Sequence, residues 1–162
     1  MEILSKNSVL WSYLSEDQKG LILDGEQLID ELDHLHGNIH DYSFVVFPFA
    51  KAYEGFLKQL FLDLRYIRED EYYGDEIRLG RLLNPNYMKK QKNLYYKLAG
   101  DSKNSSTADR LWNIWRRGRN QVFHYFPHNF RKLSKNEALE LCTEFVHAMA
   151  EVLHNSGLKL SK

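Results

Sequence analysis

Residues 43–68 read SFVVFPFAKAYEGFLKQLFLDLRYIR. Apolar side chains return at three- and four-residue steps through Phe44, Phe47, Tyr53, Phe56, Leu57, Leu60, Phe61 and Leu64, the period of an amphipathic helix and not the alternation of a strand. So wide a stripe predicts the central helix of a bundle. Pro48 lies near its start and is expected either to open the helix or to kink it. The same period runs through the rest of the chain, which has only three prolines and almost none of the β-branched runs a sheet would need. The fold class expected is all-α, a bundle of about five to six helices.

Boundary signals place the other helices around this one. Ser15 with Gln18 fits a capping box after a short first helix, and a second helix is expected from Asp24 to His36, stopped by Gly37-Asn38 and acidic on its outer face. The stretch EDEYYGDE (69–76) reads as a loop, and Ile77 to Leu83 as a short helix that ends before Asn84-Pro85. A further helix fits Tyr87 to Ala99, closed by Gly100. The polar loop DSKNSS (101–106) then supplies Ser106 or Thr107 as N-cap for a helix running to Phe126, just before Pro127. Ser134 and Glu137 form an S-x-x-E box that opens the last helix, and Gly157 closes it. With no repeat, long linker or low-complexity segment, residues 1–162 read as one domain.

A chain of 162 residues, 43% apolar and 14% aromatic, can bury a core without staples, which excludes a disordered tail protein. Cys142 is the single cysteine and falls on the apolar stripe of the last helix, so it forms no internal disulfide and suits a reducing compartment. The first residues, MEILSKNSVLWSYLSEDQ, lack the apolar run of a signal peptide, and no stretch approaches about twenty apolar residues. A cytoplasmic protein without a membrane span is expected.

Net charge is zero but unevenly spread. Residues 1–77 hold six basic against sixteen acidic side chains, residues 78–135 fourteen against two, and residues 136–162 two against four. Either the two halves neutralise each other or the basic part faces a polyanion.

The basic part contains the helix with the most chemistry. Measured from Trp115 at about 100° per residue, Leu111, Gly118, Val122 and Phe126 fall within about 60° and form a buried stripe. Asn113, Arg117, Asn120 and His124 fall on the opposite side. A guanidinium matches phosphate oxygens, an imidazole moves protons near neutral pH, and Asn120 stands four residues before His124, where its amide can orient the ring. These groups suit RNA cleavage, in which the 2′-hydroxyl attacks the neighbouring phosphorus and the developing charge must be stabilised.

Arg119-Asn120-Gln121-Val122-Phe123-His124 reads R-N-x-x-x-H, which resembles the R-x4-6-H signature of the HEPN superfamily, helical-bundle domains many of which are metal-independent RNases and toxins. Its place on the penultimate long helix is also similar, and the likeness spans about residues 40–155. The segment AYEGFLK (52–58) together with the four-residue spacing resembles the nuclease domain of RNase LS-type toxins, where a helix glutamate joins the arginine and histidine. The resemblance implies that Glu54 is a third catalytic candidate beside Arg119 and His124. It also implies a homodimer with a composite active site, no cofactor, and an antitoxin as partner protein. The HEPN proteins paired with nucleotidyltransferases show a tyrosine two positions after the histidine; here that position is Phe126, with Tyr125 before it. The modification chemistry of that subgroup therefore does not carry over.

The expected roles are His124 as general acid or base, Arg119 as phosphate and transition-state stabiliser, Asn120 as orienting residue and Glu54 as a helper to His124. Arg116 and Arg117 would hold the RNA backbone, with Tyr125 stacking on a base. On an ideal helix Arg119 lies about 140° from His124, which argues for a second copy to complete the site. Glu54 has a plainer reading as the ion-pair partner of Lys58. His34, His36 and His40 lack the cysteines or paired carboxylates of a recognisable metal set. Trp112, Trp115, Tyr95 and Tyr96 are more simply core residues than base-stacking ones. Two rival classes remain: a non-catalytic module that binds RNA or protein, and a structural subunit that assembles through its charge asymmetry.

Overall fold

Ser15 and Gln18 close a reciprocal capping box, so the second helix begins there and not at Asp24. The computed structural model describes residues 1–35, 38–74, 77–86, 94–99 and 106–158. A short α1 (Val9–Tyr13) precedes α2 (Glu16–Glu31), which runs through Gly20 and stops short of the expected His36, itself outside the described residues. The carboxylate of Glu26, buried on α2, accepts from the Ile3 and Leu4 N–H groups and so ties down the start of the chain.

The central helix α3 (Ser43–Asp63) runs through Pro48, which therefore does not open it. It ends at Leu64, before the expected Arg68, because Arg65 turns into the left-handed region at φ 57°. Its core face carries Val45, Val46, Phe49, Tyr53, Phe56, Leu57, Leu60 and Phe61. Phe44 and Phe47, assigned to that face from the sequence, are exposed. Counted from Tyr53 at about 100° per residue they lie about 180° and about 120° away, so the three- and four-residue steps had drifted off the buried side.

The acidic stretch expected as a loop begins with a helix, α4 (Glu69–Tyr73). The Glu71 carboxylate accepts from the Arg68 N–H at 2.9 Å, and three acidic side chains in the first turn complement the helix dipole. Next comes α5 (Leu79–Leu82), within the expected segment and followed by Asn84-Pro85. Of the helix expected over residues 87–99 the structure describes α6 (Leu94–Ala99), and Gly100 and the loop 101–105 lie outside the described residues. Then α7 (Ser106–Trp115) leads into the motif, and α8 (Lys135–Asn155) completes the order. Both bonds of the Ser134–Glu137 capping box are present on α8, and Gly157 follows its end at φ 69°.

Among the described residues every regular element is helical, which makes the fold an all-α bundle. The most extensive helix packing is of α3 against α2 and against α8, so α3 lies between the two. Cys142 sits in this core, where burial pushes its thiol up to about 12, beyond the reach of ordinary thiolate chemistry. Among the described residues no helix is long and apolar enough to cross a membrane.

Candidate functional site

The motif helix changes pitch before it reaches the histidine. At Trp115, α7 passes without a break into a π-helical turn over Arg116–Gln121, in which the backbone closes from i to i+5. On the core side Gly118 lies against Phe145: a Cβ there would stand 2.4 Å from the ring's Cζ, so only glycine permits this approach. Leu111 and Trp115 are buried beside it, as the periodicity predicts, whereas Val122 and Phe126, expected on the same buried stripe, are only half-buried. The Tyr53 hydroxyl donates to the Leu111 carbonyl at 3.0 Å and fixes α7 against α3.

The helix does not continue to Phe126. The N–H groups of Val122 and Phe123 both donate to the Arg119 carbonyl, and the chain then leaves the helix before His124. Asp41, just ahead of α3, holds the departing chain. Its carboxylate accepts from the Ser43 N–H and hydroxyl, the Leu133 N–H at 3.1 Å and the Asn129 amide at 2.9 Å. His128 and Asn129 adopt left-handed φ of 59° and 48° to make this turn. Burial raises the Asp41 carboxyl, but the bonds from Ser43, Asn129 and Leu133 outweigh it and hold the group at about 2.

The consequence is that Arg119 and His124 line one open hollow of about 420 Å³, despite the separation an ideal helix would give them. A widened turn followed by an early helix end replaces the even pitch on which that separation was reckoned. Across the hollow stands α3, which contributes Glu54, and with it Lys51, Ala50 and Phe47. These four residues follow the i, i+3, i+4, i+7 spacing of one helix edge. Phe123 completes the wall, its ring edge-to-face with Phe47 at 5.8 Å between centroids.

Two of the charged groups in the hollow, Arg119 and Glu54, have a tether outside it. The Arg119 guanidinium lies 5.2 Å from the Trp115 ring centroid, a cation–π contact that leaves its charge unneutralised. Among the described residues neither Arg119 nor Lys51 has a carboxylate partner. Glu54 is 3.4 Å from Lys58, so the plainer reading of Glu54 holds alongside its place in the hollow.

Other sequence candidates stand elsewhere. Asn120 is half-buried, does not line the hollow and has no hydrogen bond to His124 among the described residues. Its i, i+4 pairing required a regular helix through position 124, and the π turn and early end remove that. Arg116 is exposed, while Arg117 makes a forked pair with Glu144 of α8 at 3.0 and 3.4 Å. Arg117 opens onto a second hollow of about 260 Å³ with Arg131 and Lys132. Tyr125 is 79% exposed and outside both hollows. Trp112 and Trp115 pack with the core, whereas the side chains of Tyr95 and Tyr96 lie outside the described residues. Among the described residues no three His, Cys, Asp or Glu side chains converge as a metal set; His36 is not among them.

The sequence reading missed Lys51, Phe47 and Phe123. For the first two the signal was their spacing from Glu54 along one edge of α3. Phe123 had no such signal, since its placement depends on where the motif helix ends. No family model, curated protein or solved structure matches the chain.

Proposed function

We propose that the chain is an endoribonuclease of HEPN type, a toxin or defence effector that cleaves single-stranded or loop RNA without a metal. The observation that carries this reading is the convergence of Glu54, Arg119 and His124 on one open hollow, from α3 and from the motif segment far along the chain. In the proposed reaction the 2′-hydroxyl loses its proton and its oxygen bonds to the adjacent phosphorus. The bond from phosphorus to the 5′-oxygen breaks, and that oxygen takes up a proton. The products are a 2′,3′-cyclic phosphate and a 5′-hydroxyl.

His124 is assigned a proton transfer, and Arg119 the negative charge that builds on the phosphoryl oxygens. Glu54, linked to Lys58, tunes or orients the imidazole. Arg116 supports RNA binding from outside the hollow. A homodimer that joins two such hollows stays within the proposal on the resemblance alone, because a single chain brings Arg119 and His124 to the same hollow. An antitoxin as partner protein likewise rests on the resemblance.

The position of Asn120 favours the rival reading, a module that binds RNA without cutting it, since His124 then lacks its expected orienting amide. Incubating end-labelled RNA with purified protein in EDTA separates the two. Cleavage with cyclic-phosphate ends supports the nuclease; binding without cleavage supports the module.

A further inference from the structure

Half of the hollow is built for something other than a phosphate. Phe47 is 54% exposed and Phe123 37% exposed, on a chain that buries its other large aromatic α3 residues from Phe49 to Phe61 completely. Leaving two phenyl rings in water forgoes part of the stabilisation that burying such side chains yields. Their edge-to-face contact holds the two rings at an angle, with Ala50 beside them as a side chain too small to fill the space. Arg119 and Lys51, two cations with no carboxylate partner among the described residues, stand in the same hollow.

We infer that Phe47 and Phe123 form a stacking wall for one unpaired nucleobase, whose adjoining phosphate is held by Arg119 and Lys51. The inference rests on the ribonuclease reading and deepens it, since it makes the substrate a single-stranded segment with a base turned out into the hollow. A flat aromatic ring with a stacking π face, one sugar away from an anion, is the chemistry that matches an aromatic wall beside two cations. A paired base cannot reach the rings, so double-helical RNA is excluded from the hollow. The wall contacts the π face common to all bases, and it therefore selects for an unpaired base with little sequence preference.

Two probes test this, both 2′-O-methyl octamers that cannot be cleaved by 2′-hydroxyl attack. One carries bases of mixed sequence, and the other has the same ribose-phosphate backbone with no bases. At fixed salt the wild-type protein is expected to bind the first about 5- to 150-fold more tightly, the range one base–aromatic stack contributes. Phe47→Ala should lose most of that ratio, Phe123→Leu part of it, and Phe47→Tyr should keep it. Circular dichroism melts show whether each variant is folded, and the exposed position of Phe47 makes a large change in Tm unexpected.

In parallel, cleavage of the ordinary RNA octamer by wild-type protein reads the nuclease proposal independently. Base-dependent binding without cleavage retains the wall and rejects the nuclease. Cleavage with equal affinity for the two probes overturns the wall, leaving the rings to a protein partner or second copy. A base preference that persists undiminished in Phe47→Ala also overturns it, because the stacking then occurs elsewhere.

Discussion

Gly118 is where the motif helix meets the core, and it is the residue whose replacement is easiest to judge. A Cβ there would stand 2.4 Å from Phe145, which is itself buried against Tyr53 at 5.0 Å between ring centroids. Gly118→Ala is expected to destabilise the fold by about 1–3 kcal/mol, the usual cost of overpacking, with a matching fall in the urea midpoint. Asp41 governs the other end of the motif and gives a pH signature. Its carboxyl sits at about 2 in the folded chain against 3.8 ordinarily, so the folded state holds this proton less readily than the unfolded one. The stability it adds is complete above about pH 4 and is lost as pH falls through about 2. Between pH 6 and pH 3 the Tm of wild type should therefore fall further than that of Asp41→Asn; equal falls would show that the knot at Asp41 does not set the acid response. At this scale the residue chemistry of the motif helix singles out His124, and the family resemblance adds Arg119 and Glu54; all three line one hollow. The sequence misplaces Asn120, whose role depended on helix pitch, and overlooks Lys51 and Phe47, whose role depends on what α3 faces.

A reciprocal cap makes the start of α8 legible but by itself does not reveal α2, and helix ends set by tertiary contacts leave no local signal. The Ser134–Glu137 box sets the start of α8, where the Ser134 side chain accepts from the Glu137 N–H and the Glu137 carboxylate accepts from Ser134. Ser134→Ala should cost about 1 kcal/mol, read as a lower denaturant midpoint at unchanged slope. A change within error would mean that α8 is held by its packing alone. At α2 the Ser15–Gln18 box does open the helix, but Gly20 and the polar run around it hide a helix that packing on α3 sustains. The end of the motif helix escapes sequence reading for a physical reason. Nothing local in RRGRNQVFHYF (116–126) announces a π turn, which here accompanies the close approach of Gly118 to Phe145 and the anchoring of the following chain at Asp41. That misreading accounts for both errors of site geometry, the separation of Arg119 from His124 and the expected pairing of Asn120 with His124.

At the scale of the molecule, ion pairs among the described residues answer part of the uneven charge from within. Arg110 pairs with Glu151 and Arg117 with Glu144, both on α8, and Lys135 pairs with Asp33 of the acidic first part. Arg116 and Arg119 remain exposed, with no carboxylate partner among the described residues. RNA binding is therefore expected to weaken steeply as salt rises, through release of counterions from the nucleic acid. Arg116→Ala should weaken binding across sequences and flatten the slope of log affinity against log salt by up to about one unit. Titrations that show no salt dependence would indicate that the acidic half neutralises the basic segment. RNA cutting through His124 in the hollow between α3 and the motif segment is read by cleavage in EDTA of one RNA by wild type and His124→Ala. The imidazole is exposed, so the variant should keep its Tm and its RNA affinity. It should cut about 10²- to 10⁴-fold more slowly, while wild type leaves cyclic-phosphate ends and spares a 2′-deoxy residue at the cleavage site. Cleavage by His124→Ala at the wild-type rate, or equal cutting of the 2′-deoxy substrate, would show that His124 does not carry the proton transfer of 2′-hydroxyl attack.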